Sequence, residues 1–434
     1  MSLFTIGIIG IAVCFLLIFL GAPIYIAFAS VGFAGLWVVR GFGPAMSMLG
    51  SVPYQSASMY VWTVVPLFVF MGFLVMHSNM AKETYDGIRK WVGHFRGGLG
   101  YATVIGNAAF GTCTGVPIGA AVTFTTMSLP EMRKHGYDDK LTLGAISAGG
   151  ILSSLIPPSM GFIVYGALTE TSIGQLFIAG IGPGILLMVL YCVTIYLLCL
   201  RNPKLGPPAE KSSWKERWYG GLSMWFLIVI FGTIIGGIFL GIFTPTEAGA
   251  AGVGIVLLLT LLRRNLSWKD FKRSMVESGE TTGMVGLLLV GTLVFNTFLV
   301  VTGVPAGIAN AVTSVTTNYY GALALMIAAF ILLGMFFDAL AVTLIMIPIL
   351  FPVAVQVGVD PVHFGVISGI VLNMGTLTPP FGIVVYAVAG VAKDVPLFDI
   401  FRGVYPFLAA NILCLLLVIF LPEIATFLPS LTMH

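Results

Sequence analysis

Long apolar runs alternate with short polar segments along almost the whole chain. An α-helix needs about 17–25 mainly apolar residues to cross the hydrocarbon layer of a membrane. On this basis the pattern predicts ten crossings. They lie near residues 4–20, 23–39, 61–79, 141–168, 174–200, 220–241, 245–262, 281–303, 362–390 and 402–423.

Two further apolar regions, residues 98–129 and 320–350, carry glycine or polar residues near their middle. Each is either another crossing or a re-entrant hairpin, in which the chain enters the membrane and returns to the same side. The distribution of positive charge distinguishes these alternatives, because Lys and Arg concentrate in cytoplasmic loops.

Lys and Arg gather in four loops. They are Lys82, Arg89, Lys90 and Arg96; Arg133, Lys134 and Lys140; Arg201, Lys204, Lys211, Lys215 and Arg217; and Arg263, Arg264, Lys269, Lys272 and Arg273. If all four loops are cytoplasmic, the 98–129 region begins and ends on one side, which predicts a hairpin. The connections 304–319 and 352–361 lack Lys and Arg, which places both outside the cytoplasm. The 320–350 region between them is therefore predicted to be a hairpin that enters from the opposite face. Both termini then lie outside, and Arg40 alone lies on the unexpected side.

The composition also indicates a polytopic membrane protein, with 58% hydrophobic residues, 9% charged residues and a mean hydropathy of +1.04. Typical soluble domains have about 25% charged residues. The cysteines lie in apolar stretches without disulfide or metal spacing, which favours a role as small core residues. They are Cys14, Cys113, Cys192, Cys199 and Cys414. Residues 1–20 lack the basic segment of a cleavable signal peptide.

Two double prolines, Pro157-Pro158 and Pro379-Pro380, interrupt apolar runs that are long enough to cross a membrane. Proline removes a backbone N–H and clashes with the preceding turn, so each helix is expected to break there. Broken helices persist at membrane depth only where the freed backbone groups are buried in protein or line a cavity. Matched interruptions in the two halves of a hydrophobic chain are typical of a secondary transporter's binding site.

The two halves of the chain repeat with a nearly constant offset. Adding 222 maps Pro23, Pro130, Gly136, Asp138 and Pro157 onto Pro245, Pro352, Gly358, Asp360 and Pro379. Five crossings per half is an odd number, so the second copy is inverted in the membrane. We therefore predict an all-α polytopic fold of two inverted repeats, residues 1–210 and 211–434. Each repeat has scaffold helices, one re-entrant hairpin and one proline-broken helix, near 141–168 and near 362–390.

Two segments predict amphipathic arms at the membrane surface. Residues 264–280 mix aromatic residues with Lys and Arg, which indicates a helix in the cytoplasmic interface. Residues 43–60 are its expected counterpart on the outer face. A plain linker is the alternative for both.

The first hairpin carries Gly111-Thr112-Cys113-Thr114-Gly115-Val116-Pro117 at its centre. Hydroxyl and carbonyl oxygens suit a weakly held Na⁺, and the first break at 149–154 supplies more of them. The alternative is that these small residues serve helix packing. In the second hairpin, Asp338 is a candidate functional carboxylate, or an N-cap for the following helix. The second break offers a second set of possible Na⁺ ligands, namely Asn373, Gly375, Thr376 and Thr378.

Other polar motifs favour structural roles. Thr244-Pro245-Thr246-Glu247 is typical of a helix start with a capping box. The histidines are scattered without a metal-ligand spacing, and there is no phosphate loop, nucleophile elbow or zinc motif. An enzyme is therefore not predicted, and ATP-dependent function has no support.

These motifs together resemble the large permease subunit of tripartite ATP-independent periplasmic (TRAP) transporters, the DctM family. The resemblance covers essentially the whole chain. The motifs are Gly-Ile-Phe-Thr-Pro-Thr-Glu-Ala-Gly-Ala at 241–250, Ile-Pro-Pro-Ser at 156–159, Gly-x-x-x-Asp at 334–338, Leu-Thr-Pro-Pro-x-Gly at 377–382 and Pro130-Glu131-Met132.

The resemblance implies an elevator-type carrier, in which a core of hairpins and broken helices moves against a scaffold. It implies Na⁺ as coupling ion, a separate small four-helix membrane subunit and a periplasmic substrate-binding protein. Substrates of the family are mostly organic acids, including dicarboxylates and sialic acids. By position, the resemblance places sodium ligands at Thr112, Thr114, Gly150, Ser153 and Pro157, and at Gly334, Gly375, Thr376 and Thr378.

One departure from the family affects the first site. The family commonly has Ser-Gly-Ser in the first hairpin, whereas this chain has Thr114-Gly115-Val116. Val116 has no hydroxyl, so a ligand role there is lost or passes to the backbone.

The predicted function is Na⁺-driven import of a carboxylate across the inner membrane by alternating access. The residues expected to line the substrate site are Ser154, Ser159, Asp338 and Asn373. No Arg lies at the expected depth, so hydroxyls, half-helix N-termini and bound sodium would hold the acid group. A channel would need a continuous polar stripe, and an intramembrane enzyme would need a partner for Asp338. Both alternatives are disfavoured.

Overall fold

The computed structural model describes residues 2–315 and 318–431, and regular structure in these ranges is helical throughout. The helices of the first half are α1 (Leu3–Phe19), α2 (Ile24–Arg40), α3 (Phe42–Ser58), α4 (Val64–Met76), α5 (Met80–Val92), α6 (Gly98–Thr114), α7 (Pro117–Lys134), α8 (Asp139–Leu155), α9 (Met160–Thr169) and α10 (Ile173–Arg201). A 3₁₀ turn, Tyr60–Thr63, precedes α4.

The described part of the second half of the chain contains twelve further helices. Its helices are α11 (Trp214–Ser223), α12 (Trp225–Phe231), α13 (Gly237–Phe239), α14 (Pro245–Arg263), α15 (Trp268–Val301), α16 (Val304–Val315), α17 (Tyr319–Gly334), α18 (Ala339–Gln356), α19 (Pro361–Gly375), α20 (Ile383–Val391), α21 (Leu397–Phe420) and α22 (Glu423–Ser430). A π-helical segment, Gly232–Gly236, joins α12 to α13. The predicted all-α fold is confirmed.

Within the described ranges, seven helical segments are long and apolar enough to cross a membrane. An eighth is formed if the pair at 42–56 and 60–76, bent by 54°, counts as one. Six of the seven coincide with predicted crossings, and the seventh is α18 of the second hairpin region. Shorter apolar helices occupy the predicted crossings near 4–20 and 23–39. The chain is therefore polytopic, as predicted.

Both double prolines interrupt helices as predicted. The first break separates α8 from α9, and the second separates α19 from α20. The peptide bonds Pro157-Pro158 and Pro379-Pro380 are both cis. Because proline cannot donate to the preceding turn, neither pair of half-helices forms one continuous rod.

Each predicted hairpin is a pair of helices joined by a tight connection. Gly115 and Val116 join α6 to α7, and Gly115 adopts a left-handed conformation with φ of +60°. Residues 335–338 join α17 to α18, and the Asp338 carboxylate caps α18 by accepting from Leu340 N at 3.0 Å. The cap proposed for Asp338 is therefore confirmed.

The predicted amphipathic helix at 264–280 differs from the structure. Residues 265–267 are not helical, and α15 runs without interruption from Trp268 to Val301. Residues 278–283 between the charged part and the apolar part include two glycines but no proline, and the helix continues through them. The expected arm at 43–60 is α3, a helix that packs against α2 and α15.

Candidate functional site

The tip of the first hairpin lies against the first break. A Cβ placed on Gly111 would be 2.4 Å from Ser153 Cα, so α6 and α8 approach closely enough that only glycine fits. A Cβ on Gly115 would lie 2.7 Å from the carbonyl oxygen of Pro158. The sequence therefore places small residues where the hairpin meets the backbone of the broken helix.

The second hairpin repeats this contact. A Cβ on Gly375 would lie 2.7 Å from Gly334 Cα, so α17 and α19 meet backbone to backbone. Gly111 and Ser153 precede Gly334 and Gly375 by 223 and 222 positions, close to the offset of the two halves. Equivalent pairs thus form equivalent contacts, and each hairpin packs on the break of its own half.

The two breaks also contact each other. The Ser154 hydroxyl donates to Asn373 Oδ1, which joins the end of α8 to the end of α19. Ser159, which caps α9, donates its hydroxyl proton to the carbonyl oxygen of Ser154. The Thr376 hydroxyl donates to the carbonyl oxygen of Asn373 at 2.8 Å. Side chains predicted separately in two halves therefore form one hydrogen-bonded group.

A cavity of about 670 Å³ lies beside this group. Residues of both hairpin tips and both breaks line it, and α2, α4 and α15 supply the remaining wall. All four residues predicted to bind substrate lie in the lining, together with Thr114 and Thr376. Asp338 is the one charged residue of the described lining, and most of the wall is apolar.

Of the nine predicted sodium ligands, Thr114 and Thr376 line the cavity and the other seven do not. Thr112, Ser153 and Thr378 are near lining residues in the sequence. Their hydroxyls each donate to a backbone carbonyl oxygen one turn earlier in the chain, at 2.6–2.7 Å; the acceptors are Ala109, Gly150 and Met374. A hydroxyl that donates its proton keeps lone pairs for a cation. Gly150, Pro157, Gly334 and Gly375 offer backbone only, and they lie outside the cavity lining.

Thr114 differs from the other threonines predicted to bind sodium. The residue is 6% exposed, and its Oγ1 is buried without a hydrogen-bond partner among the described residues. Buried polar atoms normally have a partner, and an exception is typical of a place where an ion or a water molecule binds. Thr114 is therefore the strongest candidate cation ligand that the geometry provides.

Other possible centres are not supported. Among residues 2–315 and 318–431, no group of three His, Cys, Asp or Glu residues could hold a metal ion. Cys14, Cys113, Cys199 and Cys414 are buried, as expected of small core residues, and Cys192 is partly buried. Thr244 and Glu247 form the predicted capping box, with Glu247 N donating to the Thr244 hydroxyl at 3.3 Å.

Sequence reasoning missed part of the cavity wall. Tyr25, Phe73 and Thr281 line the cavity from the surrounding helices. They lie in helices without breaks or unusual motifs, so the sequence contains no signal that these helices face the site. Thr343 also lines the cavity. It lies in the first turns of α18, shortly after the Asp338 cap, and this position in the sequence could have identified it.

Paired helix hairpins, paired broken helices and a shared cavity define a secondary membrane transporter. The family model described as "Tripartite ATP-independent periplasmic transporter, DctM component" matches residues 11–424. The chain belongs to this family and is a multi-pass protein of the inner membrane. The resemblance stated from the motifs is confirmed.

Several curated relatives align over most of the chain. The sialic acid TRAP transporter large permease protein SiaM of Vibrio cholerae is 32% identical over 96% of this chain and 96% of its own length. The C4-dicarboxylate permease DctM of Pseudomonas aeruginosa is 31% identical over 92% and 94%. The ectoine/5-hydroxyectoine permease UehC of Ruegeria pomeroyi is 34% identical over 85% and 85%. These relatives are named as permeases, so the prediction that the chain is not an enzyme is confirmed.

A solved structure shares the fold. The YdaH transporter of Alcanivorax borkumensis, described as having an unusual topology, superposes with a TM-score of 0.65. The alignment covers 97% of this chain and 99% of that one at 11% identity. At this identity the likeness concerns the fold alone.

Proposed function

We propose that this TRAP permease imports a small organic acid by coupling its movement to a Na⁺ gradient. The observation that carries the proposal is the cavity shared by both hairpin tips and both breaks. A site built from broken helices offers half-helix ends and free backbone groups, which suit an anion and a cation together.

The substrate is held without a basic side chain. The described lining has no Lys, Arg or His, so the acid group binds to hydroxyls, to the amide of Asn373 and to half-helix N-termini. Ser159, Met160 and Gly161 bring the start of α9 into the lining. A helix N-terminus carries a partial positive charge that stabilises an anion. Relatives named for sialic acid and C4-dicarboxylates support a carboxylate as the substrate class.

Sodium supplies further positive charge. In the first half, the unpartnered Thr114 hydroxyl and the hydroxyls of Thr112 and Ser153 provide oxygen ligands. In the second half, Thr376 and Thr378 provide the corresponding hydroxyls. Neutral oxygens bind Na⁺ weakly enough to release it on the far side of the membrane.

Alternating access follows from an inverted repeat. The hairpins and broken helices pack on one another and form a core, whereas α2, α4 and α15 bound the cavity from outside. Movement of this core against these helices would open the cavity to one side at a time. With both hairpins re-entrant from opposite faces, both termini lie in the periplasm.

Two partners complete the transport system. A small four-helix membrane subunit extends the scaffold, and a periplasmic binding protein delivers the substrate. The names of the relatives, which call them large permease proteins of TRAP transporters, support this division of labour.

Reconstituted transport tests the proposal. The chain and its small subunit are placed in liposomes, the binding protein is added outside, and uptake of a panel of labelled organic acids is measured. We expect uptake of at least one acid that requires both the binding protein and an inward Na⁺ gradient. Uptake that is equal with and without the Na⁺ gradient would contradict the coupling, and uptake without the binding protein would contradict the delivery step.

A further inference from the structure

A basic and aromatic surface lies away from the cavity, where α5, the 93–97 loop and the start of α11 meet. We call it the Trp91 patch; its central residues are Lys90, Trp91, His94, Lys211, Trp214 and Arg217. A Cβ on Gly87 of α5 would lie 2.7 Å from the carbonyl oxygen of Gly220 of α11, so the two helices are tightly packed. Ala209 N donates to Gly93 O at 2.9 Å and fixes the segment before α11. The patch is therefore a defined surface built from α5, the 93–97 loop, the segment before α11 and the start of α11.

Tryptophans form one side of the patch. The Trp91 ring lies 6.0 Å from Trp214 and 6.3 Å from Trp218, edge to face in both pairs. Trp214 and Trp218 remain 67% and 62% exposed. They stand at the start of the apolar segment Trp214–Phe239, which is long enough to cross a membrane. Tryptophan is enriched at this depth, because its ring is apolar and its N–H reaches the headgroup layer.

The positive charges of the patch form no direct ion pairs with the described residues. Among the described residues, Lys90, Lys211, Lys215 and Arg217 form no ion pair, whereas the adjacent Arg89 pairs with Glu131. The carboxylate of Glu216 accepts hydrogen bonds from Ser213 in a capping box, and it also interacts electrostatically with Lys90. Four cations, Lys90, Lys211, Lys215 and Arg217, outnumber the two carboxylates of Glu210 and Glu216 in the segment around α11, so the surface has an excess of positive charge.

Arg217 has spare hydrogen-bond donors. Its guanidinium lies over the Trp214 ring at 5.6 Å, and Nη2 lies 3.4 Å from His94 Nδ1. Its Nε is buried and has no acceptor within residues 2–315 and 318–431, so the donors open to a ligand are those at the end of this partly exposed side chain. A planar guanidinium with free donors matches the oxygens of a phosphate.

His94 reports the same excess of charge. Its pKa is lowered by partial burial and then by the nearby Arg217 and Lys211. Two cations act on this ring and no carboxylate is among the groups that shift its pKa. An anion in the patch would offset this repulsion.

We propose that the Trp91 patch binds the phosphodiester headgroup of an anionic phospholipid. Arg217 and Lys211 contact the phosphate, and Trp214 and Trp218 lie against the glycerol and the upper acyl chains. This lipid site depends on the membrane location of the chain and is independent of the proposed substrate and coupling ion.

Native mass spectrometry of the full chain in detergent tests this site. The protein is given equal amounts of phosphatidylglycerol and phosphatidylcholine, and the lipid retained is counted. We expect the wild-type chain to retain phosphatidylglycerol preferentially. Because each basic residue near an anionic surface strengthens binding roughly fivefold, Lys211→Gln with Arg217→Gln lowers this preference about tenfold or more.

The matched control removes two charges beside another exposed tryptophan. Lys269 and Lys272 are both exposed, and Lys272 Nζ lies 5.6 Å from the Trp268 ring. Lys269→Gln with Lys272→Gln should leave the preference within about twofold of wild type. An equal loss in both double variants would overturn the proposal, because it would indicate general surface charge.

A second double variant and a phosphate competition complete the test. Lys211→Gln with Lys215→Gln leaves Arg217 and its contacts in place, so a loss of preference in this variant supports the site even if the Arg217 variant does not fold. Excess inorganic phosphate should leave the bound lipid in place. Complete displacement by phosphate, or no preference in the wild-type chain, would overturn the assignment to a lipid.

Discussion

Gly334 and Gly375 are required to be small because two backbones touch there. A Cβ on Gly375 would lie 2.7–3.1 Å from three backbone atoms of Gly334, and backbone atoms cannot move aside as a flexible side chain can. Gly375→Ala should therefore destabilise the protein by about 1–3 kcal/mol, as overpacking does, and lower uptake. Thermal unfolding of the purified protein and initial uptake rates measure the two effects.

Gly390 provides the matched control for that substitution. It lies in α20, on the other side of the same break, and an added Cβ would meet nothing within 4 Å. Gly390→Ala should leave uptake unchanged and stabilise the helix by roughly 0.5–1 kcal/mol. If the two alanine variants unfold at the same temperature, the contact between Gly334 and Gly375 does not restrict the size of the residue at position 375.

Single residues of the site were identifiable from the sequence by type, but their contacts were not. Ser154, Ser159, Asp338 and Asn373 were singled out because polar groups in long apolar runs are unusual. The structure places all four on one cavity. The hydrogen bond from Ser154 to Asn373 crosses between the halves, and no local pattern predicts which of two distant polar residues will meet.

The broken helices were predictable because proline acts locally. A residue that lacks an N–H ends a helical turn in any environment, and both double prolines do so here. The end of the predicted amphipathic helix at residue 280 could not be judged from charge alone. A change from charged to apolar residues indicates where the chain enters the membrane, but it does not end a helix. Ser267 caps α15, and the helix then runs 34 residues through the charged and the apolar part.

The helix α5 was missed although its sequence contains a signal. Its buried residues Met80, Ala81, Thr84, Tyr85 and Ile88 follow helical spacing. The surrounding Lys and Arg residues indicated a cytoplasmic loop, and a loop rich in charge can still contain an amphipathic helix.

Arg133 joins three elements at one end of the molecule. From the end of α7 its guanidinium binds Asp139 at the start of α8, at 2.8 and 2.9 Å. It also binds Asp394, in the loop between α20 and α21, at 2.7 Å. Hydrogen bonding from Arg133 lowers the pKa of Asp394 below its ordinary range. The ion pair between Arg133 and Asp394 therefore links the first hairpin to the loop after the second broken helix, and its strength depends on pH.

The sign of this dependence follows from the lowered pKa. Folding favours the ionised carboxylate, so the stabilising effect is complete above the ordinary aspartate pKa and is lost as pH falls through the lower pKa of folded Asp394. Asp394→Asn should reduce thermal stability above about pH 5, and its difference from wild type should vanish in acid. Melting temperatures across this range provide the measurement.

Glu210 supplies the control for the pH experiment. It is exposed and forms no ion pair within residues 2–315 and 318–431. Glu210→Gln should follow the wild-type pH profile. A constant deficit of Asp394→Asn at every pH would show that its role is packing or hydrogen bonding and does not depend on its charge.

In the molecule as a whole, fold class and family could be predicted because membranes restrict the choices. Apolar run lengths, the distribution of Lys and Arg, and matched prolines each reduce the number of possible folds. The repeat of 222 residues then predicts that equivalent elements form equivalent contacts, and the pairs Gly111–Ser153 and Gly334–Gly375 agree with that expectation. The walls formed by α2, α4 and α15 depend on packing between distant segments, which the sequence pattern does not specify.

Binding of the coupling Na⁺ by threonine hydroxyls from both halves is the central feature of the proposed transport cycle. The most direct measurement is the initial uptake rate in proteoliposomes as a function of Na⁺ concentration, for Thr114→Val and Thr378→Val. Valine keeps the shape of threonine and removes the hydroxyl. Thr126→Val, at an exposed position of α7, serves as the control. We predict that both site variants need at least about tenfold more Na⁺ for half-maximal uptake, corresponding to the loss of roughly 1.4 kcal/mol, whereas the control matches wild type. Wild-type sodium dependence in both site variants would contradict sodium binding by these hydroxyls.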